Sequence, residues 1–238
     1  MKILYKYPTR ERPLLFSRTL RAWYDNMQRD DFSFLISCDN NDVQMNSDNA
    51  RQFMSSFKNL TFRYDDNSSK IEACNRGVSE ENFDIVVLVS DDMVPEVRGF
   101  DDIIVQRMSE EFPDTDGALW FFDGYNPDIN TLSVLGRKYY ERFGYIYHPS
   151  YTTQWCDQEH TDVSKSLGKL HRYDDVIVRH LHPEVAALRN DVRDALSKHV
   201  PEYAQANFLG HDNLWLRNSK GDLDRETYYN RRAAGFPR

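Results

Sequence analysis

Asp91 and Asp92 stand side by side at the end of the run Ile85-Val86-Val87-Leu88-Val89-Ser90. Adjacent carboxylates repel each other, so the pair is costly unless something positive sits against it. A hard divalent cation carrying a phosphorylated ligand answers that cost. The alternative is that Asp91 caps the next helix and Asp92 is solvated. Other polar residues gather at comparable places. Thr9 and Arg10 follow an N-terminal apolar run, where they can hold a base or a phosphate; Arg10 and Arg12 are otherwise surface charges. Asp39 closes a second apolar run and can accept from a base N–H or a sugar hydroxyl, or simply form an Asx turn. His180 and His182 follow a third such run on one face of an extended chain, as a metal-ligating pair or as structural histidines. Asp157, Glu159 and Asp162 lie at the entry of a helical stretch. There they are helix-start caps and dipole partners, or one of them is a general base.

The elements that must carry these residues follow from the spacing of apolar positions. Residues 85–89 form an unbroken aliphatic run, the mark of a strand buried on both faces at the centre of a parallel or mixed sheet. Strands are predicted over 2–7, 32–39 and 60–64, with helices over 14–28, 49–57 and 69–78 between them. This β-α-β-α-β-α-β alternation predicts a parallel sheet flanked by helices. Right-handed crossovers bring Thr9/Arg10, Asp39 and Asp91/Asp92 to one edge, outside the carboxyl ends of the strands, where ligands bind. Beyond residue 95 the pattern changes. A helix is predicted over 99–112, strands over 116–125 and 132–136, a short helix over 137–143, and a buried strand over 175–183. The aromatics Tyr145 and Tyr147 suit core packing, or stacking on a sugar face. Gly168 sits where a helix C-cap belongs. A further helix is predicted from Pro183 onward, with Val185, Leu188, Val192 and Leu196 on one side. The charged tail groups Tyr228, Tyr229, Arg231 and Arg232; it packs back over the active-site edge or supports a homodimer.

Composition narrows the classes. The 238 residues are 40% hydrophobic and 13% aromatic, enough for a sizeable core, and their net charge of −8 disfavours non-specific binding to nucleic acid. Cys38, Cys74 and Cys156 form no CxxC spacing, which argues against a disulfide framework and against structural zinc. No 18-residue apolar run and no signal-peptide core appear, so a cytoplasmic enzyme without a membrane span is expected.

Taken in order, six landmarks resemble the GT-A glycosyltransferases, and within them the family-2-like inverting enzymes, over residues 1–185. They are Pro8-Thr9-Arg10, Asp39, Lys70 with Asn75-Arg76-Gly77, Ser90-Asp91-Asp92-Met93, Asp157-Gln158-Glu159 and Val178-Arg179-His180. The resemblance implies an α/β GT-A fold: a Rossmann-like mixed, mainly parallel sheet flanked by helices, with a C-terminal helical extension. It divides the chain into a nucleotide-binding half at 1–95, an acceptor-binding half at 96–185 and the extension at 186–238. It implies a metal-dependent inverting transferase of the EC 2.4 class, with a nucleotide-sugar donor, most often UDP-linked, and Mn2+ or Mg2+. Pro8, Thr9, Arg10 and Asp39 would then hold base and ribose. Lys70 and Asn75 would line the nucleotide, and Asp91 would touch ribose or sugar. Asp92 would bind the metal with His180, or with His182 in its place. Asp157 would be the general base, with Glu159 as the alternative. The sequence departs from the family pattern at Val89, where an Asp is usual two places before the acidic pair, and its base motif aligns loosely.

A glycan precursor or small molecule is the expected acceptor. Hydroxymethylated DNA bases, the acceptors of some phage enzymes, are disfavoured by the charge. A nucleotidyltransferase of related fold would carry a Gly-rich phosphate loop after the first strand, and residues 8–13 contain no glycine. A binding module that kept the fold without the chemistry would have no need of an acidic pair, a base and a metal histidine together.

Overall fold

The computed structural model describes residues 1–181 and 220–236. Seven strands form one sheet in the order β3-β2-β1-β4-β7-β6-β8. They are β1 (Ile3–Pro8), β2 (Phe32–Asp39), β3 (Leu60–Asp65), β4 (Ile85–Leu88), β6 (Ala118–Phe121), β7 (Val134–Gly136) and β8 (Leu170–Tyr173). β1 to β4 run parallel to one another, β7 is antiparallel to both β4 and β6, and β8 is parallel to β6. β4 is thus the central strand, and all four of its residues are buried. This is the mixed, mainly parallel sheet that the aliphatic run at 85–89 predicts.

Apolar side chains on alternate positions build two cores, one on each face. Ile3, Tyr5, Tyr7, Ile85 and Val87 meet Phe16, Leu20 and Trp23 of α1 (Pro13–Asn26) and Phe100, Ile104 and Met108 of a helix at Phe100–Glu111. Leu4, Val86 and Leu88 face the other way. They pack with Ile71 and Cys74 of a helix at Lys70–Asn75, Tyr139 and Tyr140 of one at Arg137–Phe143, and Cys156 of one at Cys156–Ser166. In chain order these helices are α3 (Lys70–Asn75), α4 (Phe100–Glu111), α5 (Arg137–Phe143) and α6 (Cys156–Ser166), with α2 at Asp48–Ser55. Each fully buried large apolar side chain contributes roughly 1.5–3 kcal/mol to the folded state. The C-terminal helix Lys220–Ala233, α7, adds Tyr228 to the second core.

Three expectations need correction. The buried strand at 175–183 does not join the large sheet. Its ordered part, β9 (Val178–His180), pairs antiparallel with β5 (Met93–Pro95) in a separate two-stranded ribbon. The run reads as a sheet strand because Ile177 and Val178 are buried, but what buries them is the core beneath the ribbon. Conversely, Leu170-His171-Arg172-Tyr173 is the edge strand β8, which its mixed polarity conceals. The helix at 69–78 stops at Asn75. Arg76 is extended, and Gly77 turns the chain at φ +79°, where a Cβ would lie 2.4 Å from Arg63 Nη1. His182 and the helix predicted from Pro183 lie outside the described residues.

Candidate active site

The parallel strands deliver their C-terminal ends to one edge, and the ribbon closes over it. After β4 the chain turns at Ser90–Asp92, with Met93 N–H donating to the Ser90 carbonyl at 3.1 Å. The ribbon pairs Met93 with His180, and Leu181 N–H donates to the Asp92 carbonyl at 2.6 Å. Trp23 Nε1 on α1 donates to the Met93 carbonyl at 3.0 Å and fixes the ribbon to the sheet. The result is that Asp92 Oδ1 stands 3.5 Å from His180 Nε2. On the ring's other side, His180 Nδ1 is 3.5 Å from Asp123 Oδ2.

The charges respond to this crowding. Burial works against the Asp92 charge, but the His180 imidazole, the Arg12 guanidinium and the Ser90 hydroxyl outweigh it and hold the carboxyl well below the usual range. Burial likewise opposes His180 protonation, and Asp92 and Asp123 overcome it, raising the imidazole pKa.

The neighbouring Asp91 behaves differently. It is fully buried, paired to Arg12 Nη2 at 2.8 Å, and accepts from Thr9 Oγ1 at 3.1 Å. Asp91 therefore ties the β1 loop to the end of β4, and in this structure it does not reach the cleft. Thr9 is spent on the same contact. Arg10 pairs with Asp39, which also accepts from Asn67 Nδ2 at 2.7 Å. Pro8 closes β1 opposite Ser37. Asp39 lines a pocket of about 260 Å³ with Asn41, Asp65, Asp66, Asn67 and Ser68, rich in acceptors for the N–H groups of a base.

Lys70 and Asp157, at the starts of α3 and α6, influence each other's charge. Lys70 opens α3 after Ser69, whose hydroxyl accepts from Glu72 N–H at 3.1 Å. Its ammonium is pulled down by desolvation, but Cys74, Cys156, Asp92 and Asp157 outweigh that and raise its pKa. Asp157 lies in the first turn of α6 and accepts from Gln158 N–H at 2.9 Å. Burial raises its carboxyl pKa, against the lowering effect of that N–H, of Lys70 and of His180. Asp92, His180, Lys70 and Asp157 thus share one electrostatic neighbourhood.

Two residues expected in the site are held elsewhere. Glu159 is buried in a bidentate pair with Arg231, at 2.8 Å from both Nε and Nη2, and also accepts from Tyr151 Oη at 2.7 Å. Asn75 clamps the chain before α6: its Oδ1 accepts from Ile146 and Tyr147 N–H, and its Nδ2 donates to the Tyr147 carbonyl at 2.6 Å. Arg231 of the charged tail is committed to Glu159.

Arg12 reads as a surface charge in the sequence, and Asp123 is not singled out there. Arg12 neutralises Asp91 from the loop after β1. Asp123, 2% exposed, accepts from Tyr125 N–H, Asn126 N–H and Thr131 Oγ1 while facing His180. The signal for Asp123 was present: like Asp39 and Asp92, it follows a buried strand. The adjoining Gly124 has φ +81°, and a Cβ there would lie 2.6 Å from Arg179 Nη1.

The donor set suits a hard divalent ion. Asp92 offers a carboxylate oxygen and His180 an imidazole nitrogen, and Asp123 behind the ring is the usual outer partner of a metal-bound histidine. Among the described residues no group of three or more His, Cys, Asp or Glu could hold a metal ion, so an ion bound at Asp92 and His180 would take its remaining ligands from substrate or water.

No protein-family model matches the chain, and no curated protein matches it by sequence. Solved structures do. The mannosyltransferase PcManGT from Pyrobaculum calidifontis, in complex with GDP-Man and Mn2+, superposes with a TM-score of 0.64 at 16% identity, over 86% of this chain and 64% of that one. S. aureus TarS 1–349 superposes with a TM-score of 0.60 at 10% identity, over 84% and 66% of the two chains. The same TarS piece in complex with UDP gives 0.60 at 10% identity, over 84% and 67%. The chain has the GT-A fold of these glycosyltransferases and spans about two thirds of their length or slightly less.

Proposed function

We propose that this protein is a metal-dependent inverting glycosyltransferase, moving a sugar from a nucleotide-sugar donor to an acceptor hydroxyl. The observation that carries this reading is Asp92 Oδ1 set 3.5 Å from His180 Nε2 just beyond the carboxyl end of β4, with the charges of Lys70 and Asp157 felt at the same place. The likeness to proteins solved with GDP-Man and Mn2+ and with UDP supports it.

In this reading the half at 1–95 takes the nucleotide and the half at 96–185 takes the acceptor. The pocket at Asp39 and Asn67 receives the base, and a UDP-linked donor is the leading choice. Asp92 and His180 hold Mn2+ or Mg2+, which when bound neutralises charge on the diphosphate. Asp123 orients the His180 ring, and Lys70 adds positive charge beside the same phosphates. Asp157 takes the proton of the acceptor hydroxyl as its oxygen attacks the anomeric carbon. The C–O bond to the diphosphate breaks on the opposite face, so the configuration inverts. A raised carboxyl pKa moves Asp157 toward the range in which a base works near neutral pH.

The acceptor is read as a glycan precursor or a small molecule. Among the described residues no helix is long and apolar enough to cross a membrane. The test is a thermal-shift and calorimetric panel of UDP-sugars and GDP-mannose with and without Mn2+. Binding that needs Mn2+ and is lost in Asp92→Ala supports the proposal. Absence of binding to every nucleotide sugar overturns it.

A further inference from the structure

One face of α7 grips α6 and the loop that leads into it. Asp224, 1% exposed, accepts from three consecutive backbone N–H groups: Thr152 at 2.9 Å, Thr153 at 2.7 Å and Gln154 at 2.9 Å. It also accepts from Thr152 Oγ1 at 3.1 Å. One turn on, Tyr228 Oη donates to Asp162 Oδ2. A further turn on, Arg231 forms its bidentate pair with Glu159. The three residues follow the i, i+4, i+7 spacing of one helix face.

What Asp224 holds is a strained junction. Trp155, the residue that opens α6, sits at φ 63°, ψ −10°, and α6 has no side-chain N-cap. A bulky residue in the left-handed region costs on the order of 1–3 kcal/mol and persists only where its surroundings impose it. Asp224 imposes it: with 152–154 wrapped around its carboxylate, the chain has one residue left in which to turn into α6. Two residues past that turn is Asp157. The same loop touches the other wall of the cleft, since the Thr152 carbonyl accepts from Ile71 N–H at 3.4 Å, next to Lys70.

We infer that Asp224 is a positioning residue for the general base, acting through the loop 152–155 to set the rotation of the first turn of α6 and thus the aim of Asp157. The inference rests on the reading of Asp157 above. It gives the C-terminal helix a part in turnover, exerted through the loop 152–155. Loss of the carboxylate leaves three N–H groups without their acceptor and releases Trp155 from its strained turn. A displacement of about 1 Å in a reacting group is worth about 10²-fold in rate.

The experiment compares the 238-residue wild type, Asp224→Ala and Asp224→Asn, using UDP with Mn2+ for affinity and the best donor from the nucleotide-sugar panel for turnover. Expected for Asp224→Ala is a kcat lower by about 10–10²-fold, with the calorimetric Kd for UDP and Mn2+ within twofold of wild type. Asp224→Asn keeps one acceptor oxygen and recovers part of kcat. Amide exchange at Thr153, Gln154 and Asp157 accelerates in the order wild type, Asn, Ala. If Asp224→Ala fails to fold, the Asn variant carries the same comparison. A variant with lower thermal stability but wild-type kcat below its unfolding range overturns the positioning role and leaves the transferase reading intact. A wild type that binds no nucleotide sugar overturns both.

Discussion

His180 Nδ1 lies 3.5 Å from Asp123 Oδ2, on the side of the ring opposite Asp92. The two residues are 57 positions apart and meet because His180 N–H also donates to the Asp123 carbonyl at 2.9 Å, so backbone and side chain are registered together. A carboxylate behind an imidazole fixes the tautomer and makes the other nitrogen a better metal ligand. Asp123→Asn tests this cleanly. Its Oδ1 can still accept from Tyr125 and Asn126 N–H, while the oxygen facing His180 becomes an amide. Mn2+ affinity, read from the Mn2+ dependence of UDP binding, should fall about 10–100-fold. An unchanged Mn2+ titration would remove Asp123 from the site.

The two halves of the acidic pair should separate by phenotype. Asp92→Ala should abolish the gain in UDP affinity that Mn2+ provides. Asp91→Ala should leave that gain in the folded protein but cost about 1–3 kcal/mol of stability, because the Arg12 guanidinium loses its buried partner. Urea unfolding measures the second effect and calorimetry the first. Exchange of the two phenotypes would contradict the assignment.

Asp157→Asn should cut kcat about 10²–10⁴-fold with the UDP affinity intact. It should also stabilise the protein at neutral pH. Burial raises the folded-state pKa of Asp157, so the fold favours its protonated form. That contribution is fully present below the unfolded carboxyl pKa and is lost as pH rises through the folded value. At pH 7 the ionised group therefore carries a cost that the neutral amide lacks. The urea midpoint of the variant should exceed that of wild type at pH 7, and the gap should close toward pH 4. A lower midpoint at pH 7 would show that the ionised carboxylate is a net stabiliser.

His160 predicts an acid-sensitive fold. Its ring is buried between Tyr139 and Tyr147, and among the described residues its Nε2 has no hydrogen-bond partner. Burial pushes its pKa down to about 4. The unfolded chain binds a proton near the ordinary value of about 6.5, so stability is lost as pH falls through the window between the two. A difference of that size corresponds to about 3 kcal/mol. Urea unfolding of wild type and His160→Phe across pH 4–7 should show a shallower decline in the variant; parallel declines would place the acid sensitivity elsewhere.

Much of this architecture is written in local patterns. The aliphatic run at 85–88 marks the central strand because only a strand covered on both faces tolerates four apolar residues in succession. The alternation through residue 95 dictates parallel strands, and parallel strands place Asp39 and Asp92 at one edge whatever the details of packing. Tertiary structure alone decided which carboxylates remain available there. Asp91 is taken by Arg12, 79 positions away, and Glu159 by Arg231, 72 positions away, while Asp92 is left facing His180 and Asp157 feels the charge of Lys70. Periodicity reports the environment of a residue within its own element. The partner of a charged side chain depends on how distant elements are registered, and the antiparallel ribbon that sets Met93 opposite His180 has no counterpart in local spacing.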